Sequence, residues 1–316
     1  MQRTSLVTVF GGSGFLGRHT VRALAKAGWR IRVAVRYPHQ AFFLPPAGHV
    51  GQIQIVKADV TDPDQVAAAV AGADAVVNLT GILFQRGHQT FDGVQGEGPG
   101  NIAEAARKAG VKTFVHISAI GADAEGESKY ARSKAEGEAR VRAAFPEAVI
   151  LRPSIVFGPE DGFFNLFAGL ARLSPILPLI GGGKTKFQPV FVGNVAAAIG
   201  VALDDVSTRG RTYELGGPNI YSFKEILEII LRAIDRKRLL VPIPFGLATF
   251  KAFFLQMMPK PLLTPDQVKS LKHDNVAGVP GLAELGIVPT SVEAEVPAYL
   301  WRFRPKGQYQ PLVANR

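Results

Sequence analysis

Three glycines, Gly11, Gly14 and Gly17, stand with two residues between each in the stretch LVTVFGGSGFLGR, directly after a short apolar run. Few features restrict a fold so strongly. A strand that turns at once into a helix needs the first glycine for the tight turn and the second for close approach of backbone to bound oxygens. The third lets the helix pack against the strand. The helix start then presents unpaired N–H groups and positive potential, a good cradle for a pyrophosphate. Ser13, Phe15, Leu16 and Arg18 share this turn and are expected to contact the same ligand.

The chain beyond the turn supports that context. FLGRHTVRALAKAG keeps helical spacing up to Gly28, and IRVAV and IQIV read as second and third strands. Asp62 caps a helix that has Pro63 at its first position and ends at Gly72. DAVVNL, TFVHI and AVILRPS supply three more strands, with helices expected around Asn101–Ala109 and Ser128–Ala144. Strands alternating with helices predict an α/β chain built on a doubly wound parallel sheet, a Rossmann fold. The expected organisation is a nucleotide-binding domain over 1–155, with a return of chain near 186–204. A smaller C-terminal α/β lobe over 156–316 completes it. Ser222 with Glu225, and Thr264 with Gln267, have the spacing of capping boxes in that lobe.

The second strand ends in Arg36 rather than in a carboxylate. An acidic residue there would accept from ribose hydroxyls and repel a 2′-phosphate; Arg36, helped by Arg18, favours NADP(H) over NAD(H). The competing reading is that either arginine is a solvated surface charge. Asp59 and Val60, after the third strand, are placed to reach the adenine, although an Asp in a loop also forms turns.

Composition narrows the chemistry. The chain has no cysteine, so thiolate metal sites, disulfides and cysteine nucleophiles are excluded, and redox chemistry must come from a bound cofactor. The six histidines show no metal-ligand spacing, so no metal is expected, and His116 reads as a satisfied core residue. A net charge of +10 favours anionic partners. The basic residues are scattered without a recognition motif, which argues against nucleic acid. No apolar run reaches the roughly 18 residues of a membrane span, and the first strand starts too early for a signal sequence. A cytoplasmic protein, or a processed one, is the resulting expectation. Phe245–Leu263, rich in Phe and Met, is either the core of the second lobe or a surface helix for a membrane boundary or an apolar partner.

Tyr130 and Lys134 lie one helical turn apart in KYARSK, and Ser118 closes the fifth strand in HISAIG. A cation beside a phenol lowers its pKa, so Tyr130 is expected to exchange a proton near neutral pH, with Ser118 orienting a carbonyl. Together GGSGFLGR, ADVTD, NLTG, HIS, YARSK and LRPSIVFGP resemble the short-chain dehydrogenase/reductase superfamily, on its extended-like side. The resemblance implies that Leu79, Thr80, Gly81, Pro153 and Ser154 line the cofactor, and that Ser118, Tyr130 and Lys134 are catalytic. YARSKAEGEARVRAAFPEAVILRPSIVFGPEDGFFNLFAGL, KTKFQPVFVGNVAAAI and GPNIYSFKEILEII are similar, more narrowly, to the short-chain-dehydrogenase-fold accessory subunits of respiratory complex I. That likeness implies a tightly held NADPH without turnover. It also implies partners in complex I or a ubiquinone-biosynthesis assembly, and a peripheral place on an anionic membrane. The membrane would be the inner one, on its cytoplasmic face, or on the matrix side in a mitochondrion. A working reductase or epimerase remains the other implication.

Overall fold

A computed structural model describes residues 4–259 and 261–309. Along the first half, β1 (Leu6–Phe10), α1 (Phe15–Lys26), β2 (Arg30–Val35), β3 (Ile53–Lys57), α2 (Pro63–Val70) and β4 (Ala75–Asn78) alternate. Next in the chain are α3 (Gly98–Lys108), β5 (Thr113–Ile117), α4 (Lys129–Ala144) and β6 (Val149–Pro153). The second half contains β7 (Val156–Phe157), α5 (Phe164–Leu173), β8 (Ile176–Ile180), β9 (Lys186–Phe187), β10 (Val190–Phe191) and α6 (Val192–Asp204). Then come β11 (Thr212–Leu215), β12 (Tyr221–Ser222), α7 (Phe223–Ala233), β13 (Leu239–Ile243), α8 (Phe245–Leu255), α9 (Pro265–Ser270), α10 (Gly281–Glu284) and α11 (Val292–Leu300).

The chain forms two compact units. Of the described residues, the first holds 4–153, 192–215 and 278–288; the second holds 154–191, 216–259, 261–277 and 289–309. Residues 186–191, expected to return to the nucleotide-binding domain, therefore lie in the second unit, and the return begins at Val192.

In the first unit seven parallel strands stand in the order β11-β6-β5-β4-β1-β2-β3, a doubly wound Rossmann sheet. Parallel strands covered on both faces are apolar at nearly every position, and every residue of β4 and β5 is buried. Helices α1 and α6 pack together on one face. The other face is covered by α2, α3 and α4 around Phe10, Val66, Ile102, Phe114 and Val141. Asp62 caps α2 by accepting from the Asp64 and Gln65 amides, and Arg32 donates to the Ala69 and Ala71 carbonyls at its other end.

The second unit has its own core around Phe157, Phe164, Phe223, Ile226, Ile230 and Val296. Both expected capping boxes are closed, Ser222 with Glu225 and Thr264 with Gln267. Asp161, 3 % exposed, gathers the Phe163 and Phe164 amides that start α5 and the Tyr299 hydroxyl of α11, the latter at 2.8 Å. The Phe245–Leu263 stretch is not a core segment as a whole. Helix α8 buries Ala248 and Ala252, while Phe250, Phe253 and Phe254 are exposed.

Candidate nucleotide-binding site

The strand order reverses between β1 and β4, where an open parallel sheet leaves a crevice at the carboxyl ends of its strands. A cleft of about 200 Å³ lies there. Gly11, Ser13 and Gly14 form its floor, Arg36 extends β2, Asp59 and Val60 come after β3, and Leu79, Thr80 and Gly81 after β4. Among the residues expected to bind a cofactor, these nine line it.

Steric limits make the glycine turn obligatory. Gly11 has φ +76°, a left-handed conformation in which a side chain is strained. A Cβ on Gly17 would fall 2.3 Å from the Gly11 carbonyl oxygen and 2.6 Å from Gly12 backbone atoms, so α1 could not approach the turn. The start of α1 has neither a side-chain cap nor an acidic residue in its first turn. The helix start therefore brings no carboxylate to compete with a pyrophosphate for its first amides. The cradle fits a dinucleotide.

The remaining turn residues support the cradle from outside the lining. Gly17 packs against Gly11; the Leu16 carbonyl accepts from Thr20; and the Phe15 ring meets His19 edge-on at 5.6 Å. Arg18 donates to the Ser13 and Gly14 carbonyls, both at 3.3 Å, and its guanidinium lies 4.7 Å from the Phe43 ring centre. It braces the phosphate turn itself. Asp59 lines the cleft and also accepts from the Thr61 amide and hydroxyl, which makes it a turn former there.

Ile82, Gln89, Val94, Ala34, Val35 and Ala58 complete the lining and escape sequence reasoning. Gln89 and Val94 come from the segment leading into α3, which includes one wide π-helical run, Asp92–Glu97. Inside that run Gln95, 1 % exposed, accepts from the Ile82 amide and donates to Ser133 of α4. Gly137 admits this approach, since a Cβ there would sit 2.1 Å from the Gln95 carbonyl oxygen. The small-residue run DGVQGEGPG was the only sequence signal for it.

Tyr130, in the first turn of α4, meets the Phe91 ring edge-on at 6.0 Å. Lys134 is 4 % exposed; its Nζ donates to the Ile117 carbonyl at 3.2 Å and lies 3.6 Å from where a Gly81 Cβ would stand. The lysine thus reaches the cleft wall beside Ser118. Burial draws its pKa down to about 8, against a smaller opposing pull from Glu138. Burial pushes the Tyr130 phenol up to about 12, opposite to the lowering expected from the neighbouring cation. Desolvation is the cause of the rise: the buried phenolate loses its hydration.

His116 and Ser118 point to the same side of β5, both buried, and neither the His116 Nε2 nor the Ser118 hydroxyl has a hydrogen-bond partner among the described residues. His116 is therefore only half satisfied: Nδ1 meets the Asn78 amide at 3.2 Å, and the Asn78 oxygen accepts from Thr80. Burial and the Lys134 charge hold its pKa near 3, so the ring is neutral. Pro153 ends β6, its carbonyl accepting from the Ile120 amide. Ser154 belongs to the second unit, where its hydroxyl donates to Asn275 at 2.6 Å. Among the described residues no group of three His, Asp or Glu side chains is placed to hold a metal.

A glycine-bound helix start at the reversal point of a parallel sheet defines a dinucleotide-binding protein of the Rossmann class. The chain belongs to the NAD dependent epimerase/dehydratase family, whose model matches residues 7–216. It is 35% identical to an Arabidopsis thaliana protein, NADH dehydrogenase [ubiquinone] 1 alpha subcomplex subunit 9, mitochondrial, over 96% of this chain and 79% of that one. It is 38% identical to a Caulobacter vibrioides ceramide reductase over 55% of this chain and 54% of the reductase. Among solved structures, an Escherichia coli NADPH-dependent quinone oxidoreductase complexed with NADPH superposes with a TM-score of 0.75. That match is at 19% identity and covers 93% of this chain and 99% of the other.

Proposed function

We propose that this protein is an NADP(H)-binding accessory subunit of respiratory complex I, or of a related quinone-linked membrane assembly, and that its dinucleotide is held chiefly for structure. The carrying observation is the likeness to the alpha subcomplex subunit, which extends over both units rather than the nucleotide-binding part alone. A ligand bound only by the folded chain stabilises it by mass action. The raised Tyr130 pKa agrees with a site that keeps its proton. No helix among the described residues is long and apolar enough to cross a membrane, so attachment would be peripheral. The proposed place is the cytoplasmic face of a bacterial inner membrane, or the matrix side in a mitochondrion.

The choice of NADP(H) rests on charge. Residues 1–58 contain eight lysines and arginines and no carboxylate side chain; Asp59 is the first acidic residue of the chain. The phosphate turn and the β2 end therefore bring cations and no carboxylate to a cleft whose lining also includes Asp59, after β3, and that local balance rewards the roughly two extra negative charges of a 2′-phosphate. Arg36 at the cleft is the residue to receive it.

A second reading, an active reductase or epimerase, draws on one observation: the buried Ser118 hydroxyl lacks a partner, and a carbonyl oxygen would supply one. Bound NADPH would supply the hydride. Ser118 would donate to the carbonyl oxygen, Tyr130 would hold the proton to be delivered there, and Lys134 would position the cofactor ribose.

Affinity isolation from native membranes tests the first reading. Co-purifying respiratory-chain subunits, together with NADPH released only on denaturation, are expected. A soluble chain with carbonyl-dependent NADPH oxidation that Tyr130→Phe abolishes would replace it with the second.

A further inference from the structure

We propose that α8 and the turn after it dock on an anionic lipid surface, lying within the headgroup layer without crossing it. This goes beyond the assembly reading and stands without it, because it concerns only the second unit. Helix α8 is turned opposite to an ordinary surface helix. Its buried residues are the small Ala248 and Ala252, seated against Ile180 and Val268. At 100° per residue, Phe250, Phe253 and Phe254 project from the opposite side, and they are 64 %, 58 % and 56 % exposed. Leu247, Met257, Met258 and Leu262 are also exposed and extend the apolar surface past the helix end. A large apolar patch on a folded chain marks a contact with something equally apolar.

Charge identifies the occupant. Between Asp235 and Asp266 there is no Asp or Glu; Lys251 lies on α8 itself, and the other basic residues of that segment are Lys237, Lys260, and Arg236 and Arg238, which also donate to the Phe303 and Ala171 carbonyls. The second unit as a whole has 16 lysines and arginines against 9 acidic residues, and so carries most of the chain's excess positive charge. Aromatic and aliphatic side chains on one side with cations at the flank are the composition of a helix that lies in a membrane interface. A protein-binding patch would instead carry a polar rim with hydrogen-bonding side chains. Here the polar uncharged residues of α8 and its end are Thr249, whose hydroxyl is spent on the Phe245 carbonyl, and Gln256. The eleven residues of α8 span about 16 Å, roughly half the hydrocarbon thickness, so the helix lies on the bilayer rather than through it.

The test uses the full purified chain with phosphatidylcholine vesicles, with and without phosphatidylglycerol. Co-sedimentation is expected with the anionic vesicles only, weakening with salt. The triple variant Phe250→Ser, Phe253→Ser, Phe254→Ser should need at least about tenfold more lipid at unchanged circular dichroism, because the three rings are already exposed. In a separate variant, Phe253→Trp should shift to shorter emission wavelength on vesicle addition and be quenched by brominated lipid. Absence of binding to anionic vesicles, or equal binding by the triple variant, would overturn the proposal. So would self-association that the triple variant abolishes while vesicles are ignored, since the patch would then serve a second copy.

Discussion

The Lys134 ammonium donates to the Ile117 carbonyl at 3.2 Å inside a wall that leaves it 4 % exposed. Its pKa falls to about 8, so between that value and the ordinary lysine value near 10.5 the unfolded chain binds more protons than the folded one. Stability should therefore rise with pH across that window; below it, the buried charge exacts its full cost, on the order of 3 kcal/mol. Tyr130 acts in the opposite sense only above about pH 10, where the unfolded chain loses its phenolic proton first. Urea midpoints measured from pH 7.5 to 9.5 (roughly the lower part of that window) should increase. Lys134→Met should flatten the curve.

Gly17→Ala should abolish the cradle. The added methyl meets the Gly11 carbonyl and Gly12 backbone, which cannot yield as a side chain would. A loss of about 2–4 kcal/mol is expected, with NADPH no longer raising the thermal midpoint. A variant that still gains stability from NADPH would contradict the turn's role.

Arg36→Asp separates the two dinucleotides. Replacing the cleft cation with an anion should weaken NADPH at least about tenfold while changing NADH by less than about threefold, as read by titration calorimetry. Equal losses would remove Arg36 from 2′-phosphate recognition.

Glu138 and Arg152 form a two-pronged pair at 2.8 and 2.6 Å, with the Glu138 side chain 10% exposed and that of Arg152 28%. Glu138 stands one turn after Lys134 on α4, and the fold pairs its carboxylate with Arg152 of β6. Arg152→Met should cost roughly 2–3 kcal/mol by stranding the carboxylate, somewhat less than for a fully dry pair because solvent reaches the arginine. Adding Glu138→Gln should recover much of the loss in denaturant titration.

Much of the first unit was legible because its signals are local. The glycine spacing at Gly11, Gly14 and Gly17, the cap at Asp62, and the closing glycines Gly28 and Gly72 each act within a few residues of where they stand. Strand β11, which adds to β6 from about 60 positions away in sequence, carries no such signal. The same holds for residues 278–288, whose Gly281 packs on Glu214 of that strand so closely that a Cβ would fall 2.5 Å from its carbonyl oxygen.

The chain's linear pattern thus determined the parallel sheet, the phosphate turn and the residues at the end of each strand, since strand and helix periods and glycine geometry are properties of short segments. Tertiary structure alone decided that Tyr130 is hard to ionise, that His116 and Ser118 keep unpaired polar atoms, and that the phenylalanines of α8 face outward. Desolvation and exposure depend on which distant surfaces cover a group. A periodic pattern identifies an apolar face but leaves open what, if anything, comes to rest against it.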